Sequence, residues 1–105
     1  MATRSETVRR VGKSELYVRQ LGIGGGGFAN TQAMPDNEVT AVATAAYEGG
    51  IRLFDTAPSY GFGVSERRLG VALNNFRRSD VQINSKVGTH LLAAPTHPWP
   101  DHDAG

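Results

Sequence analysis

Two short runs near the amino terminus, residues 7–11 and 16–18, mix β-branched, aromatic and apolar residues with charged ones. They flank Gly12-Lys13-Ser14-Glu15, a glycine-containing connection of hairpin length, and predict a small β-hairpin. Residues 20–23 make a short strand candidate that ends in four consecutive glycines, Gly24 to Gly27, a loop whose backbone is free of Cβ constraints. After Pro35 and Asp36, the residues Val39, Val42, Ala43 and Ala46 fall at the i, i+3, i+4, i+7 spacing of one helical face, and Gly49-Gly50 provides the stop. Residues 51–54 are mostly apolar, too short for a helix, and bounded by glycine behind and Pro58 ahead, as in a buried strand.

A second helix is signalled from Ser65, read as its N-cap, with Val64 and Leu69 as a hydrophobic staple and Leu69, Ala72, Leu73 and Phe76 as the apolar face. A polar break at residues 77–80 leads to a third strand candidate over 81–87. Strand, helix, strand, helix, strand is the pattern of βαβ units with parallel strands, whose carboxyl ends share one edge of the sheet. Function is expected at that edge. From Ala93 onward three prolines and no periodicity predict an irregular tail over 93–105, set apart from an α/β unit over 1–92.

Composition narrows the functional classes. With eleven basic and ten acidic side chains the net charge is +1, which supplies no general field for nucleic acid or an anionic membrane. The absence of cysteine rules out a disulfide framework and suits the cytoplasm. No apolar run reaches membrane-spanning length. His90, His97 and His102 have no regular ligand spacing, so no metal site is expected, and Trp99 between prolines reads as loop. Gly24 to Gly27 lacks the Gly-Lys-Ser/Thr ending of a phosphate cradle and reads as a turn lining the active edge. Glu66 reads as a first-turn acid favoured by the helix dipole.

Three residues carry candidate chemistry. Asp55 ends the second of the parallel strands, Tyr60 follows in the loop, and Lys86 ends the third, so parallel geometry brings them together. A carboxylate keeps the lysine charged, and that charge favours phenolate over phenol, which suits the tyrosine to proton transfer.

The run Gly50-Ile51-Arg52-Leu53-Phe54-Asp55-Thr56-Ala57-Pro58-Ser59-Tyr60-Gly61, then Ser65-Glu66-Arg67-Arg68-Leu69-Gly70 and Ser85-Lys86-Val87-Gly88, resembles the aldo-keto reductase signature from about residue 16 to 92. The details are similar to the branch of aldose (fucose and galactose) and pyridoxal dehydrogenases. The resemblance implies the amino-terminal portion, about three βα units, of a (β/α)8 TIM barrel preceded by the hairpin. It implies hydride transfer between NADP, or NAD, and an aldehyde or aldose. It makes Tyr60 the proton donor, Lys86 its electrostatic partner, and Asp55 the residue that fixes Lys86 and contributes to the cofactor site.

Such a barrel takes around 250 residues. The chain is therefore expected to be truncated, without a counterpart to the family's histidine, since His90 follows Lys86 too closely. Its open sheet edge is expected to favour self-association. A non-catalytic remnant or interaction fragment of such an enzyme is the alternative.

Overall fold

The computed structural model describes residues 7–88. His90, His97, His102, Trp99 and the tail over 93–105 lie outside the described residues. The order is β1 (Val8–Arg10), β2 (Tyr17–Arg19), β3 (Gly22–Gly24), α1 (Asp36–Glu48), β4 (Leu53–Asp55), α2 (Val64–Leu73) and β5 (Gln82–Asn84). β1 and β2 form the expected antiparallel hairpin, with Gly12 in the left-handed region at φ 55°. β3, β4 and β5 form a separate parallel sheet in that order, the strand–helix–strand alternation read from the sequence.

Register decides what faces what. Ile23, Phe54 and Ile83 align across the sheet, as do Gly24, Asp55 and Asn84 one residue on, and alternate residues of a strand point to opposite faces. Phe54 is fully buried in a cluster with Val39 and Ala43 of α1, Leu69, Ala72 and Leu73 of α2, Phe28 and Val81. Both helices therefore cover the Phe54 side. The helical faces predicted from periodicity are the ones that pack, with Val42, Ala46 and Phe76 partly buried around the cluster. Phe76 does so from beyond the end of α2, stacking on Tyr47 with ring centroids 4.1 Å apart. Arg52 covers the Tyr47 ring at 3.6 Å, and the Tyr47 hydroxyl donates to Asp80 at 3.0 Å.

Two details depart from the sequence reading. Ser65 is not the N-cap of α2; the helix starts at Val64 with Gly63 before it at φ 92°, a conformation glycine adopts without a Cβ penalty. The Ser65 hydroxyl is used elsewhere, donating to the main-chain oxygen of Gly25 at 2.7 Å. The strands are also shorter than their apolar runs. Ile51 N–H still belongs to the helix exit, donating to the Ala46 carbonyl at 2.9 Å, and beyond β5 Val87 stands 99% exposed. Apolar content was thus a poor guide to where the ladder stops.

Candidate active site

Burial of Phe54 fixes β4 against the helices, a contribution of about 2–3 kcal/mol, and the alternation then turns Asp55 to the other face at the carboxyl end of the strand. Lys86 lies two residues beyond β5. Its Nζ is 3.2 Å from each Asp55 carboxylate oxygen and 2.8 Å from the main-chain oxygen of Thr56. Tyr60 is half-buried in the loop between β4 and α2, held by its N–H to the Ala57 carbonyl (3.2 Å) and its carbonyl to the Ser65 N–H (3.1 Å). The centroid of its ring is 5.2 Å from Lys86 Nζ, within cation–π range. The structure brings Asp55, Tyr60 and Lys86 to one rim, as the parallel arrangement requires.

The charges reinforce one another. The Asn84 amide, foremost, and then the Lys86 ammonium hold the Asp55 carboxyl below its ordinary value, against an opposing push from partial desolvation. For Lys86 desolvation is the largest influence and acts downward, yet the hydrogen bond and charge of Asp55, joined by Tyr60, outweigh it and leave the ammonium above its ordinary value. The ion pair is open to solvent, with Lys86 47% and Asp55 36% exposed, so it orients charge more than it stabilises the fold.

Other contacts around this rim were not identified from the sequence. Asn84 donates its side-chain amide to Asp55 Oδ1. Ser85 Oγ donates to Glu66 Oε2 at 2.8 Å, so Glu66 has a tertiary partner as well as its place in the first turn of α2. The buried hydroxyls of Thr56 and Ser65 are 2.8 Å apart, and Ser65 continues to Gly25. A Cβ on Gly25 would lie 2.5 Å from the Asp55 main-chain oxygen, so only glycine lets this loop close onto β4. Residues Gly26–Ala29 form a 3-10 turn that takes in the last two glycines of the run read from the sequence as a turn.

Arg68, 5% exposed, reaches back from α2 to donate to Asp36 Oδ1 (2.7 Å), the Phe28 carbonyl (2.7 Å) and the Met34 carbonyl. The signal for Arg68 was its place on the core-facing side of α2, three residues after Ser65 and four before Ala72, where a charge requires partners.

On the face that carries Asp55, a groove of about 510 Å3 runs between the hairpin and the sheet, lined among others by Val11, Leu16, Leu53, Asp55 and Asn84. It reaches the rim only at Asp55 and Asn84, whereas Tyr60 and Lys86 stand beside it. Among the described residues no group of three or more His, Cys, Asp or Glu side chains could hold a metal, and no helix is long and apolar enough to cross a membrane.

The model of the Aldo/keto reductase family matches residues 20–104. The chain is similar to D-threo-aldose 1-dehydrogenase from a Pseudomonas species, 38% identical over 92 residues, which cover 87% of this chain and 28% of that protein. It is also similar to aldo-keto reductase YhdN of Bacillus subtilis, 38% identical over 65% of this chain and 21% of that protein. Among solved structures, aldo-keto reductase AKR11C1 from Bacillus halodurans in its holo form superposes with a TM-score of 0.72 at 30% identity, over 83% of this chain and 28% of that one. The chain thus spans less than a third of the length of these relatives, and its fold matches the amino-terminal part of their barrel.

Proposed function

The chain belongs to the aldo/keto reductase family, and from that premise we propose that it carries the proton-handling part of an NAD(P)-dependent oxidoreductase acting on an aldehyde or aldose. The observation that supports this reading is the approach of Lys86 Nζ to both the Asp55 carboxylate and the face of Tyr60. In reduction, the Tyr60 hydroxyl gives its proton to the carbonyl oxygen, and Lys86 stabilises the phenolate left behind. In oxidation the same phenolate takes the proton from the alcohol. Asp55 holds Lys86 charged and in place.

The rim fits a nicotinamide cofactor at its reacting end. Gly24 pairs with Asp55 in the sheet, and a Cβ there would meet nothing within 4 Å, so the space beside the carboxylate is open to a flat ring. Asp55 would contribute to holding that ring, and the cofactor, NADP or NAD, would supply or accept the hydride. The aldose class follows the similarity to D-threo-aldose 1-dehydrogenase, and the reading places the reaction in the cytoplasm.

The solvent exposure of Lys86 and Asp55 favours a second reading, a non-catalytic remnant that keeps this half-site. To separate the two, the chain is completed with the remaining barrel of a relative and assayed for nicotinamide-dependent turnover. Tyr60→Phe is expected to reduce turnover by about 100-fold or more; unchanged turnover would sink Tyr60 as proton donor. Titration of the 105-residue chain itself with NADPH, followed by cofactor fluorescence, completes the test. Saturable binding supports a working cofactor site, and none supports the remnant.

A further inference from the structure

We infer that Asn84 is a positioning residue for this site, fixing the ionised Asp55 carboxylate in the orientation that receives Lys86. The inference rests on the functional reading above. Asn84 and Asp55 are paired across β4 and β5, so their side chains leave the sheet on the same face as neighbours. The Asn84 amide nitrogen meets Asp55 Oδ1, and chemistry sets that orientation: an amide oxygen turned to a carboxylate oxygen would place two acceptors in contact. Lys86 is 3.2 Å from both carboxylate oxygens, so Oδ1 receives two donors, one from an ammonium on a flexible stem and one from a short side chain on a strand.

Only the second of these donors has a fixed origin. The main chain at Asn84 is held by its pairing with β4 and by the Thr56 N–H donating to its carbonyl at 2.8 Å, and the following residue is tied to α2 by Ser85 Oγ donating to Glu66 Oε2 at 2.8 Å. Asn84 has two side-chain bonds to restrict, whereas Lys86 reaches the carboxylate on four carbons, is nearly half exposed, and takes its shortest contact from the Thr56 main-chain oxygen at 2.8 Å, not from Asp55. The amide therefore sets the plane of the carboxylate, and Lys86 docks onto a carboxylate already oriented. A neutral donor does this without competing with Lys86 for charge, which a second cation would do.

The experiment follows the Asp55 carboxyl carbon by NMR through an acid titration of the 105-residue chain and its variants. Asn84→Leu keeps the branched shape and removes the donor, and the Asp55 midpoint is expected to move up towards that of a free aspartate. Asn84→Asp places a like charge beside it and is expected to move the midpoint further in the same direction. The Thr56 amide resonance, which reports the β4–β5 pairing, is expected to stay in place. An Asp55 midpoint unchanged in Asn84→Leu would overturn the assignment.

The underlying reading fails separately. Acylation of Lys86, with Lys13 as internal reference, is expected to speed up by about twofold or more in Asp55→Asn as the ammonium loses its counter-charge. No change there would break the Asp55–Lys86 pair, and with it the functional reading, whatever Asn84 does to Asp55.

Discussion

On one side of the sheet Phe54 is 0% exposed, enclosed by α1 and α2; on the other its neighbour Asp55 looks onto an open groove and a rim of polar contacts. The difference extends sideways. Ile83 sits beside Phe54 in register on the covered face, yet is 41% exposed, because α1 and α2 roof β4 and leave β5 at the margin. Packing thus concentrates on the strand that ends in Asp55, and the backbone of the polar rim takes its position from that strand.

The strongest way to break this contrast is Phe54→Ala. It is expected to cost about 3–5 kcal/mol, enough to unfold a unit of this size, whereas Leu53→Ala, half-buried one residue earlier, should cost less than half as much; denaturant midpoints decide between them. Equal costs would show that both faces bear the fold alike. A smaller loss is expected from Ser65→Ala, about 1–2 kcal/mol, since the Gly25 carbonyl and Thr56 hydroxyl lose a buried partner. If Ser65→Ala leaves the melting temperature unchanged, the hydroxyl chain contributes nothing to joining the core to the rim.

The rim's own contribution shows best against pH. Asp55 is held below its ordinary value of 3.8 in the folded chain, so it adds stability above that value and loses it as the pH falls through the folded midpoint. Lys86 is held above its ordinary 10.5, so its share is present below that pH and disappears as the pH rises through its folded midpoint. Asp55→Asn should flatten both limbs of the stability profile by a small amount. A profile identical to that of the parent chain would show that the pair is no stronger folded than unfolded.

The smallest effect on folding, with the clearest effect on solution behaviour, is expected at the margin. Val87→Ser should leave the melting temperature alone and reduce the self-association that we propose for the open edge of β5, measured by light scattering. A parent chain that stays monomeric at micromolar concentration would remove that proposal.

What could be read from sequence was what depends on period and order. The apolar spacing of Val39, Ala43, Leu69 and Ala72 marked the faces that are in fact buried, and strand alternation brought Asp55 and Lys86 to one edge. What could not be read depends on partners distant in the chain. Ser65 has the composition of a cap and is instead 40 residues from the carbonyl it binds. Asn84 is an unremarkable polar residue until register sets it beside Asp55. The N-cap assignment failed because a serine near a helix start has two uses, and only the three-dimensional position of Gly25 chooses between them.

Arg68 has a consequence for how much added length the segment it holds can take. One guanidinium takes the carbonyls of Phe28 and Met34, so the stretch between them begins and ends on the same side chain. A segment clipped at both ends can lengthen while its ends stay put, with Asn30 inside it holding the turn by accepting from the N–H groups of Gln32 and Ala33. An insertion within residues 29–33 is thus expected to disturb the fold less than substitution of Arg68, which would release both ends of the segment at once.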